Sequence, residues 1–176
     1  DAGGLPPMFF LKPTPLTQPS PGIIALAEAA AGEGAALERL HRLANAVRDK
    51  VDYVSDTTHA ETSAAEAFDA GTGVCQDHAQ VLIAAARHLG FPARYVSGYL
   101  CPMEEGFPAA SHAWAELFVD GLGWVGFDPA NGISPHGDSL RVAVGLDYRG
   151  AAPVSGRRVG FGGAKMTVDA AVRIVS

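Results

Sequence analysis

Cys75 stands in Gly71-Thr72-Gly73-Val74-Cys75-Gln76-Asp77, directly before a helical run, and two later segments bring an imidazole, His112, and a carboxylate, Asp128. A thiol, an imidazole and a carboxylate in that chain order are the parts of a nucleophilic cysteine site: thiolate attacks, imidazole moves the proton, carboxylate orients the imidazole. Placing the sulfur at a helix amino end suits this chemistry, because unpaired amides and the helix dipole favour negative charge there and can hold an oxyanion. A cysteine is also a small buried hydrophobe, and for Cys101, at the end of a β-rich run, packing is the preferred reading.

The elements that must position these groups follow from periodicity. From Cys75 the apolar positions Ala79, Leu82, Ala86 and Leu89 trace a buried helix face, and Gly90 is placed to end it in a left-handed conformation. His112, Trp114, Glu116 and Phe118 alternate with Ala113, Ala115, Leu117 and Val119 along a strand. A two-residue turn at Asp120-Gly121 would pair Val119 with Leu122 and set His112 opposite Pro129, one residue from Asp128, so that a bulge would complete the alignment. Neighbouring strands lie about 4.8 Å apart, within reach of a carboxylate–imidazole bond.

Other polar groups have bland explanations beside functional ones. His78, one helical turn past Cys75, is either in contact with it or a supporting or surface group; His59 sits in a loop that could line a cleft; His136 reads as exposed loop, and His41 and His88 as helix surface. Gln76, Tyr99 and Trp114 are candidate substrate-binding residues. Gln76 and Asp77 are equally explained as helix caps, and Tyr95, Tyr99 and Trp114 as core aromatics. A metal site from Cys75, His78 and His112 or Asp128 has suitable residue types for zinc but no recognised spacing.

Upstream, Leu5–Gly22 carries six prolines, which reads as a linker or extended arm, with Met8-Phe9-Phe10-Leu11 lying on the domain or facing a neighbour. Helices are expected over Ile23–Ala31, along the stripe Leu37, Leu40, Leu43, Val47 and Val51, and from a Ser63-Ala64-Ala65-Glu66 capping box to about Ala70. Downstream, strands are expected over Arg94–Cys101, His112–Val119, Trp124–Asp128, Arg141–Tyr148 and Lys165–Val175, the last two separated by a loop over Gly150–Gly163. Helices followed by an antiparallel sheet make an α+β fold, residues 1–22 being the arm and 23–176 one domain.

Composition sets outer limits. A chain of 176 residues that is 48% hydrophobic suits a single core. Its net charge of -6 comes with no basic block, so neither nucleic acid nor an anionic membrane surface is expected as partner, and no apolar run is long enough for a membrane span. Two cysteines make no disulfide framework, which favours a cytoplasmic location. The chain begins at Asp1, so it reads either as a processed product or as a piece of something longer.

Gly71–Asp77, Arg94-Tyr95-Val96-Ser97-Gly98-Tyr99, Ser111-His112-Ala113-Trp114-Ala115-Glu116 and Gly123-Trp124-Val125-Gly126-Phe127-Asp128-Pro129 together resemble the bacterial transglutaminase-like superfamily. The resemblance implies a papain-like core with Cys75 as nucleophile, His112 as general base and acid, and Asp128 as the group orienting it. It also implies an upstream β-rich domain whose junction the proline-rich arm would end; a peptide or protein substrate and no cofactor are expected, and with nothing resembling the calcium-site insertions of the animal enzymes, metal dependence is not implied. The chain departs from the pattern at His78 and Gln80, where similar members carry an aromatic residue and then a histidine, which bears on the pocket wall and the substrate. The function implied is thiol-dependent acyl transfer or hydrolysis on peptide or glutamine-type amides through an acyl-enzyme. A peptide-binding module with an idle Cys-His-Asp set is the alternative.

Overall fold

A computed structural model describes residues 4–101 and 109–152. The chain order is α1 (Pro21–Ala31), α2 (Ala36–Lys50), β1 (Asp52–Tyr53), α3 (Ala64–Ala70), β2 (Thr72–Gly73), α4 (Cys75–His88), β3 (Ala93–Leu100), β4 (Ala110–Val119), β5 (Gly123–Phe127), β6 (Ser139–Gly145) and α5 (Tyr148–Ala151). Helices precede an antiparallel sheet of order β5-β4-β3-β6, so the fold is the expected α+β arrangement.

Helix α4 is the axis of the molecule. Every residue from Asp77 to Arg87 is buried, because α1, α2 and α3 pack on one side of it and β3 and β4 on the other. Val81, Leu82 and Ile83 join Ala115, Leu117, Leu40 and Leu43 in one continuous core. Each such fully buried aliphatic side chain contributes about 1.5–3 kcal/mol relative to exposure. The helix ends as its sequence implies: Gly90 adopts φ +83, with Gly90 N donating to Arg87 O at 3.0 Å and Phe91 N to Ala86 O at 3.0 Å, a Schellman closure.

Two local devices aim the amino end of α4. Ser63 and Glu66 form the capping box that starts α3, Ser63 N donating to Glu66 Oε2 at 2.8 Å, and Gly71 at φ +70 ends that helix. The parallel pairing of Asp52 with Thr72 and of Tyr53 with Gly73 then ties the exit of α2 to the loop that enters Cys75. A Cβ on Gly73 would stand 2.7 Å from Asp77 Cβ, so only glycine lets the Asp77 side chain fold back over the loop.

The hairpin expectation is corrected. Val119 pairs with Gly123, not with Leu122, and the reversal takes three residues because Gly121 and Gly123 both adopt positive φ and Leu122 N donates to Val119 O. The register therefore moves by one, Ala115 opposing Phe127, and Asp128 leaves the ladder to bridge with Ile133. The strand expected over Arg141–Tyr148 instead runs Ser139–Gly145, and Asp147 caps a short helix through Gly150 N. The strand expected over Lys165–Val175 lies outside the described residues.

The proline-rich arm forms two 3-10 turns, Pro7–Leu11 and Pro15–Thr17, whose Phe10, Leu16 and Thr17 are buried against the domain. Phe10 meets the Trp124 ring edge-on at 5.2 Å, and the Arg94 guanidinium stacks 4.1 Å over the same indole. Arg94 in turn donates through Nε to Glu116 Oε2 at 2.7 Å, and Arg141 reaches Glu116 Oε1 at 3.1 Å.

Candidate active site

Three elements converge at the amino end of α4. Cys75 is its first residue and is partly exposed. His112, near the start of β4, contacts Asp128 through Nε2 at 2.6 Å from Oδ2, in a pair whose side chains are 8% and 2% exposed. A carboxylate only accepts, so Nε2 carries a proton and Nδ1 is the ring nitrogen that Asp128 leaves free, with Cys75 near enough to act on the ring's charge. Burial alone would weaken the charged ring, but the bonds and charges of Asp128 and Cys75 outweigh it and push the His112 pKa up to about 9 from 6.5.

The carboxylate is itself fixed. Asp128 N donates to Ile133 O at 2.9 Å, and Gly132 N returns a bond to Asp128 O at 2.8 Å, so the backbone around Asp128 is closed into a tight loop. Asn131, from that loop, donates its amide Nδ2 to Asp128 Oδ2 at 2.8 Å and its backbone N to Oδ1 at 3.2 Å. The same Nδ2 lies 3.3 Å from His112 Nε2. Behind Asp128 a small cavity of about 100 Å³ is walled by His41, Asn45, Phe127 and Ser134.

Gln76 is partly buried and turns its amide toward the neighbouring loop, Nε2 donating to His59 O at 3.3 Å. Tyr99 is partly exposed on β3, opposite Ser111. Trp114 is 3% exposed; its ring stacks with His112 at 6.3 Å and packs over Gly98, so its described contacts are with the imidazole rather than with a cleft. His59 lines a surface recess of about 390 Å³ together with Thr57, Thr58, Thr62 and Glu61. His136 is exposed beside Asp138, and His88 meets Glu28 on the surface. Cys101 follows β3 and is partly exposed rather than sealed in the core.

Of the other residues, Asp77 does cap, accepting Val74 N at 2.8 Å, and also takes the Thr58 hydroxyl at 2.6 Å. His78 is buried with both ring nitrogens on backbone carbonyls, so it supplies no metal ligand. Among the described residues no group of three or more His, Cys, Asp or Glu is placed to hold a metal ion. Nor, among them, is any helix long and apolar enough to cross a membrane.

Two residues of the site escaped the sequence reading. Asn131 lies three residues after Asp128 in Asp-Pro-Ala-Asn, a turn-forming sequence that places an amide beside the carboxylate, and that local signal was available. Tyr53 had none: the β1–β2 pairing brings it to Gly73, where burial and then the charges of Cys75 and Asp128 raise its pKa.

The chain is 29% identical to a candidate cysteine protease from Cytophaga hutchinsonii whose crystal structure superposes with a TM-score of 0.71, covering 82% of this chain and 48% of that one. The periplasmic domain of TgpA from Pseudomonas aeruginosa shares the fold at 21% identity and a TM-score of 0.56, covering 72% of this chain and 47% of that one. An uncharacterized protein of Mycobacterium leprae is 32% identical over 163 residues, which is 90% of this chain and 58% of the relative. An uncharacterized protein of Mycobacterium tuberculosis is 34% identical over 130 residues, 68% of this chain and 41% of the relative. The chain thus spans about half the length of the curated relatives it matches. The profile of the transglutaminase-like superfamily matches residues 24–129, taking in Cys75, His112 and Asp128, and the chain belongs to that superfamily.

Proposed function

We propose that this chain is a thiol-dependent acyl-transfer enzyme acting on peptide or glutamine-type amides, with water as its favoured acceptor. The observation that carries the reading is the His112 ring, held by Asp128 on one nitrogen, with the other free and Cys75 close enough to help raise the ring's pKa. In the proposed cycle the Cys75 thiolate adds to the amide carbonyl, and the oxyanion is met by the backbone amides of Cys75 and Gln76 at the start of α4, since that of Asp77 already donates to Val74 O. His112 gives its Nδ1 proton to the departing amine as the C–N bond breaks, leaving a thioester. A water molecule then loses a proton to Nδ1 and attacks the thioester, releasing the acid and restoring the thiolate beside a protonated ring.

Partial exposure of Cys75 supports water as acceptor, because solvent reaches the acyl-enzyme. The likeness to a candidate cysteine protease at 29% identity supports the same direction. Gln76 and Tyr99 are the proposed substrate contacts, with Trp114 backing the imidazole. An upstream β-rich domain would meet the arm, where Leu5, Met8 and Phe9 are exposed.

The test is mass spectrometry of the protein mixed with a peptide library and with a glutaminyl peptide plus a primary amine. The expected result is a thioester on Cys75 and peptide hydrolysis, both lost in Cys75→Ala. Turnover that survives Cys75→Ala, or peptide binding with neither adduct nor turnover, would reject this reading, the latter in favour of a binding module.

A further inference from the structure

We infer that His78 is a positioning residue for the nucleophile, a buried imidazole protonated on both nitrogens that clamps the residue before Cys75 to the end of α2. The inference rests on Cys75 being the reactive thiol of the proposed enzyme. His78 is 1% exposed, with Nδ1 at 2.9 Å from Val74 O and Nε2 at 2.7 Å from Val51 O. Both partners are carbonyl oxygens, which only accept. A neutral imidazole has one N–H, so it would set a bare nitrogen lone pair against an oxygen lone pair at one of the two contacts. Two N–H donors satisfy both.

The environment fits this arrangement. Val51 is 1% exposed, so water is a poor substitute donor for its carbonyl, and an unpaired buried carbonyl is costly. The carboxylate of Asp77, the preceding residue in the chain, is fully buried with Oδ1 lacking a partner. From β1 the Tyr53 ring lies 6.1 Å away, and Cys75 lies one turn earlier on the same helix.

Val74 is held from both ends: Asp77 Oδ2 takes its N–H, and His78 Nδ1 meets its C=O. Val74 is the helix N-cap residue, so fixing its peptide groups fixes where the Cys75 side chain leaves the helix. The same ring places a positive charge one turn from the sulfur, where it favours the thiolate. A phenylalanine at position 78 would fill the volume yet supply neither donor, so His78 adds a function that packing does not require.

The test pairs a spectroscopic measurement on the unaltered protein with a reactivity measurement on a variant. In protein labelled with ¹⁵N-histidine, long-range ¹H–¹⁵N correlation at neutral pH should show His78 with both ring nitrogens protonated. In a Cys101→Ser background, His78→Phe should slow iodoacetamide capture of Cys75 by about five- to tenfold, the scale of one lost hydrogen bond. One bare ring nitrogen at His78, or capture at the unaltered rate in His78→Phe, would overturn the inference. Should His78→Phe not fold, the nitrogen spectrum of the unaltered protein decides alone. Both readouts are independent of turnover, so a protein that passes them and hydrolyses nothing refutes the proposed enzyme and not the clamp.

Discussion

His112 and Asp128 meet at 2.6 Å through a carboxylate oxygen that also accepts the Asn131 amide, in a pair almost closed to solvent. Such a bond fixes the tautomer as well as the ring's direction, since the nitrogen facing the carboxylate must be the protonated one. The other ring nitrogen is thereby left free, as the proposed attack by Cys75 requires.

Asp128→Asn tests that arrangement while keeping shape. The amide removes the charge and allows the ring to present the wrong nitrogen, so turnover should fall roughly 10²- to 10⁴-fold, the usual range for a positioned acid–base group. Because the Asp128 bond and charge hold the His112 pKa up to about 9, the alkaline limb of the kcat/KM profile should start near pH 9 in the unaltered protein and move to lower pH in the variant. An unmoved limb would assign it to another group.

The same shift predicts a stability signature. The folded-state pKa of His112, about 9, lies above the usual 6.5, so the folded protein holds this proton more tightly than the unfolded chain. The resulting contribution is fully present below pH 6.5 and is lost as pH rises through about 9. Urea midpoints of the unaltered protein and of His112→Gln should therefore differ most near pH 6 and converge by about pH 10. A gap that widened with pH would contradict the arrangement.

Much of this site was legible because its signals are local. The capping box at Ser63 and Glu66, the Gly90 closure and the buried stripe of α4 each involve residues within about one turn, and they locate Cys75 at a helix amino end without tertiary knowledge. The hairpin slipped by one because Asp120-Gly121 is a good two-residue turn in isolation, whereas Gly123 at φ +85 allows a three-residue reversal that only the assembled sheet selects. The β1–β2 pair and the Val51 partner of His78 join residues 20 and 27 apart through at least one backbone group, which all residues share, so side-chain types do not announce them. The sequence accordingly leaves His78 as either a contact of Cys75 or a supporting or surface group, with nothing to point to Val51.

Asn131→Ala removes the amide that braces Asp128 and leaves Cys75, His112 and Asp128 unaltered. One hydrogen bond to a charged group contributes roughly 1.5–3 kcal/mol, an upper bound here because Asn131 is exposed and water can replace it. We expect kcat to fall several-fold with little change in KM, and Asn131→Asp to be worse than Asn131→Ala through repulsion from Asp128. A KM effect without a kcat effect would instead make Asn131 a substrate contact.

Far from the sulfur, Arg87 predicts how the arm is held. Its guanidinium, 8% exposed, donates to Phe10 O at 2.8 Å, Thr17 Oγ1 at 2.7 Å, Ala93 O at 2.8 Å and Leu146 O at 2.7 Å. Burial lowers its pKa to about 10, opposed by the charge of Asp147, so it stays charged at neutral pH. Arg87→Met keeps the volume but orphans these buried acceptors, and each orphan costs about 1–3 kcal/mol, so a loss of at least 3 kcal/mol in urea unfolding is expected. Lys supplies a point charge in place of a planar fork and should recover only part of that loss. Limited proteolysis should meanwhile cut the arm between Pro7 and Thr17 faster in Arg87→Met, before global unfolding. If the arm is cut no faster while the core is destabilised, Arg87 braces β3 and the segment at Leu146, and the arm is held by Phe10 and Leu16 packing alone.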